Sequence, residues 1–208
     1  MSLDVSALCS GMFSDELDRM GFREQVVGGM RLNRSGLSCL GKARTVDIET
    51  VATDDENIGV GLGFLEQLEP GEILCVSGSG EYAYFGELMT RLAIRRGVGG
   101  VAVGGLTRDH RFTRGTELPI FSTGYSPKDI KGRGRVRAVD VPIDLCGVPV
   151  NSGDWVYGDD DGVVVVPAAL ESRLFATLAR VIEAERDVIK QIAAGRSIDT
   201  ILATHKEF

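Results

Sequence analysis

The most informative stretch of the chain covers residues 78–109 and reads GSGEYAYFGELMTRLAIRRGVGGVAVGGLTRD. Its glycine-rich beginning predicts a turn, and the apolar spacing that follows predicts a helix over 86–96. Gly97 is placed to end this helix. The glycine-rich run 98–105 predicts a central strand that packs closely on its neighbours. With the apolar strand predicted at 72–77, the stretch forms a βαβ unit.

Charged residues stand at both ends of this helix and second strand. Glu87 opens the helix, and Arg108 and Asp109 follow the strand after twenty intervening residues. A right-handed βαβ crossover places the start of its helix and the end of its second strand at one edge of the sheet, where open α/β folds bind ligands. An aspartate oxygen suits Mg²⁺ or Mn²⁺, and an arginine suits a carboxylate or a developing enolate. In a purely structural interpretation, Arg108 and Asp109 form a loop ion pair and Glu87 is a first-turn helix acid.

The start of the helix supplies a second kind of binding group. The backbone amides of Gly86, Glu87, Leu88 and Met89 have no partner within the helix and point toward the same edge. Such amides can hold an anion without a positive side chain. The residues therefore predict a divalent-metal site for a small keto acid.

Three other features compete for a function. Residues 78–83 match the dinucleotide pattern G-x-G-x-x-A, but the helix begins only near Gly86, which disfavours a nicotinamide cofactor. The acids at 159–161 suit a metal loop less well than the turn of a β-hairpin. His110 suits an acid–base role or, as is commoner for a loop histidine, neither catalysis nor metal binding.

The rest of the chain is predicted to form a single domain together with this unit. Residues 28–41 predict a loop, and the basic residues of 126–137 predict a solvated loop or hairpin with anion steering as the alternative. Pro167 suits the start of the last helix. Periodicity and turn residues predict helices over 8–20, 53–68 and 168–194, and strands over 42–51, 118–121, 137–143, 148–150, 155–158 and 163–166.

Composition disfavours several function classes. The 208-residue chain is 43% apolar and 25% charged, as ordinary globular proteins are. Its formal net charge of −7 provides no general attraction to nucleic acid or to an anionic membrane. No apolar run reaches the roughly 18 residues that a spanning helix needs, and residues 1–18 lack the basic start of a signal peptide. Four widely spaced cysteines without a CxxC motif predict reduced core residues of a cytoplasmic protein.

Several short motifs together resemble a known family. They are FGELM at 85–89, RRGVGG at 95–100, TRD at 107–109, PGE at 70–72, LPIF at 118–121, GVPV at 147–150 and DDDGV at 159–163. This set resembles the RraA-like family, which includes 4-hydroxy-4-methyl-2-oxoglutarate aldolases with oxaloacetate decarboxylase activity and the protein regulators of ribonuclease E. The resemblance covers residues 15–195. It implies an α/β fold, a compact β/β/α swivelling-type sandwich in one domain over 1–208.

The resemblance also implies a role for each site residue. In the family's aldolases the final aspartate binds Mg²⁺ or Mn²⁺, which corresponds to Asp109 here. Arg108 would contact the substrate and stabilise its enolate, and the amides of residues 86–89 would bind the pyruvate carboxylate. Glu87 would act through water at the metal. The family has aspartate at this position, so the extra methylene of Glu87 favours a water-mediated role.

Assembly is implied by the resemblance as well. A glutamate from the last helix of a neighbouring subunit completes the family's metal shell, and Glu185 matches it best, with Glu183 as the alternative. The expected form is a homotrimer or homohexamer with the helix 167–195 near a subunit interface. The expected activity is cleavage of a 4-hydroxy-2-oxo acid to pyruvate, or decarboxylation of oxaloacetate. The competing expectation is a non-catalytic regulator that binds a ribonuclease; the regulators lack the complete acid-Arg-Asp set.

Overall fold

The computed structural model describes residues 5–51 and 59–205. Six α-helices and twelve strands lie in these ranges, with short 3₁₀ helices at Val5–Ala7 and Ala168–Leu170. The α-helices are α1 (Ser10–Arg19), α2 (Gly59–Leu65), α3 (Glu87–Arg96), α4 (His110–Thr113), α5 (Glu171–Ala193) and α6 (Ile198–Thr204). The strands are β1 (Val26–Val27), β2 (Arg31–Leu32), β3 (Cys39–Thr50), β4 (Ile73–Val76), β5 (Ala83–Phe85), β6 (Gly100–Thr107), β7 (Ile120–Tyr125), β8 (Gly134–Val139), β9 (Ile143–Leu145), β10 (Val148–Val150), β11 (Trp155–Asp159) and β12 (Gly162–Val166).

One large mixed sheet organises the described residues. Its order is β1-β12-β11-β3-β4-β6-β7-β2, with β5 paired to β6 and β8 paired to β3. The centre, β3-β4-β6-β7, is parallel. The outer strands β11, β12 and β2 pair antiparallel. A separate hairpin of β9 and β10 forms a second, two-stranded sheet.

Strand alternation divides the interior into layers. Leu74 and Val76 of β4 face a core that includes residues of α2 and α3. Ile73 and Cys75 face the opposite side, where the β9–β10 hairpin packs. Because successive side chains point to opposite faces of the sheet, the sheet lies between the hairpin on one side and the helices on the other. A third core joins α1 and α5 to β11 and β12. The layers agree with the predicted β/β/α sandwich.

The predicted βαβ unit is confirmed. β4 and β6 are adjacent and parallel, with Cys75 opposite Ala102. The helix between them ends at Gly97, whose φ of 72° is the left-handed conformation that glycine adopts without strain. Gly86 lies one residue before the helix, as its N-cap.

Other predicted elements are confirmed with shifted ends, and some are wrong. The predicted strand 137–143 is wrong, because Asp140 takes a φ of 52° and the chain divides there into β8 and β9. The predicted loop 28–41 contains β2 and the beginning of β3. The predicted helix 53–68 is present as α2, and its residues 53–58 lie outside the described part. Sequence periodicity missed β1, β5, α4 and α6.

Two further findings bear on the composition. All four cysteines are free; Cys39 and Cys75 are buried, whereas Cys9 is exposed and Cys146 half-buried, so the core prediction holds in part. No helix in the described ranges is long and apolar enough to cross a membrane.

Candidate functional site

Three of the predicted site residues, Glu87, Arg108 and Asp109, meet at one edge of the parallel sheet. Strand β6 ends at Thr107, and Arg108 and Asp109 follow it directly. The Arg108 amide donates a 2.9 Å hydrogen bond to the Phe85 carbonyl, one residue before the N-cap of α3. This bond fixes the start of the helix beside the end of the strand, as the crossover argument predicts.

Asp109 has a strained backbone and a capping side chain. Its φ of 58° and ψ of 36° are left-handed, a conformation that costs most non-glycine residues roughly 1–2 kcal/mol and aspartate less. Its carbonyl accepts hydrogen bonds from the amides of Phe112 and Thr113 at 2.8 and 3.0 Å, which holds the turn into α4. Its Oδ2 accepts the Glu87 amide at 2.9 Å. A strained residue held this firmly, with its carboxylate on a helix N-terminus, is typical of a functional site.

Gly86 provides the space that this arrangement needs. A Cβ there would lie 2.6 Å from Asp109 Oδ2 and 2.8 Å from Arg108 Cγ. Its φ of −147° is open to any residue. Glycine is therefore required here by close packing and not by backbone conformation.

Arg108 lies between two carboxylates. Its Nη1 is 2.7 Å from Asp129 Oδ2, and its Nε is 3.6 Å from Asp109 Oδ2. The loop ion pair of the structural interpretation is thus present, and a second acid joins it. Asp129 was missed because it stands inside a basic segment and reaches Arg108 only through the tertiary fold.

Glu87 is engaged along its own helix. Its Oε1 accepts hydrogen bonds from Arg91 Nε and Nη2 at 2.9 and 2.7 Å. Arg91 in turn lies over the Phe112 ring, 4.4 Å from its centroid. Glu87 therefore also has the structural role of a first-turn acid in an i,i+4 pair.

A pocket opens beside these residues, and we call it the α3 pocket. Its volume is about 720 Å³, including the part open to solvent. Residues 86–89 and Arg108 line it, so most of the predicted binding residues share one concave surface. Tyr84 and Asp129, which the sequence did not indicate, line it as well. Asp109 lies behind this lining, against Gly86.

His110 directly follows Asp109 but lies outside the lining of the α3 pocket. Its ring stacks on Tyr125 with centroids 3.9 Å apart. Desolvation, with a smaller contribution from Arg114, lowers the pKa of His110 below its ordinary value. Both contributions favour the neutral form of the ring, and its Nδ1 is buried without a hydrogen-bond partner among the described residues.

In the two competing motifs, side chains are engaged within the chain. Ser79 Oγ accepts the amides of Glu81 and Tyr82 at 3.2 Å each, and this turn leads into β5 where a nucleotide motif would need a helix. In the acidic hairpin, Asp159 Oδ2 accepts the Ser10 amide and Asp160 Oδ2 accepts the Gly36 amide, both at 2.8 Å.

The carboxylates of a single chain fit a cation that keeps most of its water. The described residues contain no group of three or more His, Cys, Asp and Glu side chains placed to hold a metal. Mg²⁺ needs only one or two carboxylates beside waters and substrate oxygens. Asp109, with a half-exposed side chain, and Glu87 are the carboxylates that would hold such an ion.

Glu185 lies elsewhere in its own chain. It is half-buried on α5 and lines a separate pocket together with Asp15 of α1 and His205 beyond α6. A role for Glu185 at the α3 pocket therefore requires a second subunit, and it stays a prediction.

Comparison with known proteins identifies the fold. A family model described as RraA-like (Aldolase/RraA) matches residues 11–165. RraAS2 of Streptomyces coelicolor, described as an unusual member of the RNase ES inhibitor RraA protein family, superposes with a TM-score of 0.80 and 28% identity, covering 88% of this chain and 93% of that one.

Two curated relatives extend the comparison. Protein DlpA of Legionella pneumophila is 27% identical over 196 residues, which are 91% of this chain and 31% of DlpA. A protein of Halalkalibacterium halodurans, named "Putative 4-hydroxy-4-methyl-2-oxoglutarate aldolase", is 31% identical over 137 residues, which are 65% of this chain and 62% of that protein. The matched part thus spans less than two thirds of either relative.

Proposed function

Because the chain belongs to the RraA-like family, we propose that it is a divalent-metal-dependent carbon–carbon lyase. The substrate is a 4-hydroxy-2-oxo acid cleaved to pyruvate, or oxaloacetate decarboxylated to pyruvate. The relative named as an aldolase supports this reaction class. The observation that carries the proposal is the strained Asp109, held with Arg108 against Gly86 at the start of α3.

The start of α3 binds the substrate carboxylate. The first-turn amides of an α-helix have no acceptor within the helix. Asp109 takes the Glu87 amide, which leaves the amides of Leu88 and Met89 for the substrate. The positive end of the helix dipole favours an anion at the same place.

Arg108 acts on the charge that develops during the reaction. Breaking the bond at C3 leaves an enolate, and a guanidinium placed beforehand beside its oxygen stabilises that charge in the transition state. Asp129 holds the Arg108 Nη1 at 2.7 Å and so fixes the guanidinium within the pocket. Mg²⁺ or Mn²⁺, held by Asp109 and through water by Glu87 and a neighbouring subunit's Glu185, would supply Lewis-acid stabilisation of the same charge. None of the described residues lining the pocket is a histidine, so we assign the proton that completes pyruvate to water.

The decisive test combines chelation with Asp109→Asn. Asparagine tolerates the left-handed conformation, so this variant should keep its fold while it loses the carboxylate charge. We expect oxaloacetate decarboxylation to fall at least about 100-fold in the variant, as the loss of several kcal/mol of charge stabilisation implies. EDTA should have a comparable effect on wild type, with Mg²⁺ or Mn²⁺ restoring the rate.

Asp161→Asn is the matched control, because Asp161 is exposed in the β11–β12 hairpin. It should leave the rate unchanged. Turnover that resists EDTA, or full activity of Asp109→Asn, would exclude the metal mechanism.

A non-catalytic regulator is the second candidate. The similarity to RraAS2, described as belonging to a family of ribonuclease inhibitors, favours it. On that hypothesis no keto acid is turned over, and Asp109→Asn leaves binding of a protein partner intact.

A further inference from the structure

One tyrosine of the α3 pocket has an unsatisfied hydroxyl. The Tyr84 oxygen is buried and has no hydrogen-bond partner among the described residues. An unpaired buried hydroxyl destabilises the folded state. Phenylalanine would fill the same space without this cost, so packing alone does not explain the hydroxyl.

Gly61 adds a second cost at the same atom. A Cβ at this position in α2 would lie 2.3 Å from the Tyr84 hydroxyl oxygen. Glycine inside a helix is unfavourable relative to alanine. The helix thus forgoes a side chain where the hydroxyl needs room. Neither feature stabilises the fold, and local violations of this kind concentrate at functional sites.

Both residues face the site already described. Tyr84 and Gly61 line the α3 pocket with residues 86–89. The Tyr84 ring packs against the core that holds α2 and α3, and the residue lines the pocket together with Gly86. Burial raises the pKa of Tyr84 far above its ordinary value. The phenol therefore stays protonated and can donate a hydrogen bond.

We propose that Tyr84 determines substrate specificity by donating its hydroxyl hydrogen to an oxygen on the part of the keto acid beyond C3. This inference rests on the proposed function. The carboxylate and keto oxygens are assigned to α3 and Arg108, so the remaining acceptor lies on the part that leaves. Lys131 and Arg135 also line the pocket. An anionic leaving part, such as the C4 carboxylate of oxaloacetate, suits this surface best.

The test is Tyr84→Phe in the full chain with Mg²⁺. We expect kcat/KM for oxaloacetate to fall about 10- to 100-fold, the usual effect of losing a hydrogen bond to a charged group. Inhibition by pyruvate, which lacks the leaving part, should change less than about twofold. The melting temperature should not fall, because the variant removes an unsatisfied group.

A second pair of variants tests the geometry. Gly61→Ala should displace the phenol and produce the same selective loss for oxaloacetate. Gly63→Ala in the same helix is the control, since a Cβ there meets nothing within 4 Å. An unchanged kcat/KM for oxaloacetate in Tyr84→Phe, or equal losses for oxaloacetate and pyruvate, would overturn the assignment.

Calorimetry separates this inference from the proposed function. Wild type that binds oxaloacetate and pyruvate without turnover would contradict the lyase alone. A selective loss of oxaloacetate affinity in Tyr84→Phe would then still support the specificity role, and equal affinities would overturn it. Wild type that binds neither acid would overturn both.

Discussion

At the scale of single residues, two aspartates occupy left-handed turn positions at which the side chain also makes a charged contact. Only Asp109, Asp140 and Cys146 have positive φ among the non-glycine residues that the structure describes. Aspartate tolerates this conformation better than most side chains. Asp109 then binds the first amide of α3, and Asp140 binds Arg44. At both positions, aspartate thus allows the left-handed backbone and also supplies the carboxylate that makes the contact.

Asp140 provides a prediction about acid stability. Arg44 donates to its two oxygens at 2.8 and 2.7 Å, and Ser152 donates at 2.7 Å. The hydrogen bond from Arg44, above all, lowers the pKa of Asp140 below its ordinary 3.8. A depressed folded-state pKa stabilises the protein above the unfolded value, and this contribution is lost as the pH falls through the folded value.

We therefore expect Asp140→Asn, which keeps the left-handed turn, to unfold more easily than wild type at neutral pH. The exposed setting limits the difference to no more than about 1 kcal/mol. Urea titrations over a pH series should show that the difference in unfolding free energy between wild type and Asp140→Asn becomes smaller below about pH 4. A difference that does not vary with pH would contradict the assignment to this ion pair.

At the scale of elements, the strongly patterned segments were predictable and the short ones were not. Helix α3 and strand β6 follow from apolar spacing and a glycine stop, and their order fixes which edge carries Glu87, Arg108 and Asp109. Strand β5 has only three residues. It is held from outside, since the Ala83 amide donates to the Lys128 carbonyl at 2.8 Å. The local sequence pattern does not reveal a hydrogen bond to a residue so distant in sequence.

The same reason explains which site residues were found. Arg108 and Asp109 adjoin a predicted strand end, so topology places them. Asp129 reaches the pocket because the segment after β7 folds over β5, where Ala83 bridges to Asp129. That contact joins residues far apart in sequence, and periodicity does not report it. Tyr84 lies in β5, which is too short to show a sequence pattern.

A substitution of Gly86 tests the close packing between the start of α3 and the end of β6. Alanine there keeps an allowed backbone but places its Cβ against Asp109 and Arg108. Since small displacements of catalytic groups cost about 100-fold in rate, we expect Gly86→Ala to lose at least that much decarboxylase activity. Gly80→Ala is the control, because its Cβ meets nothing within 4 Å. Steady-state kinetics of both variants would measure this loss of activity. A Gly86→Ala variant as active as wild type would refute the packing explanation.

At the scale of the whole molecule, the layers separate two halves of the proposed site. The α3 pocket lies at one edge of the parallel sheet, beside the core that holds α2 and α3. Glu185 belongs to the third core's helix α5, which packs on α1, β11 and β12. Helix α5 also exposes Ile189 and Ile192, at 62% and 56%. Completing the site with Glu185 thus calls for contact between copies of the chain.

A shared site makes a prediction that a self-contained site does not. Asp109→Asn and Glu185→Gln should each be poorly active alone, because each removes one carboxylate from every site. In oligomers formed from an equal mixture, some sites combine the intact Asp109 of one chain with the intact Glu185 of another. Random assembly of a cyclic oligomer makes about a quarter of the sites complete in this way. Co-expressed, differently tagged chains purified through both tags should therefore recover measurable decarboxylase activity. If Glu185 acted within its own chain or at no site, the mixture would be no more active than the average of its two components.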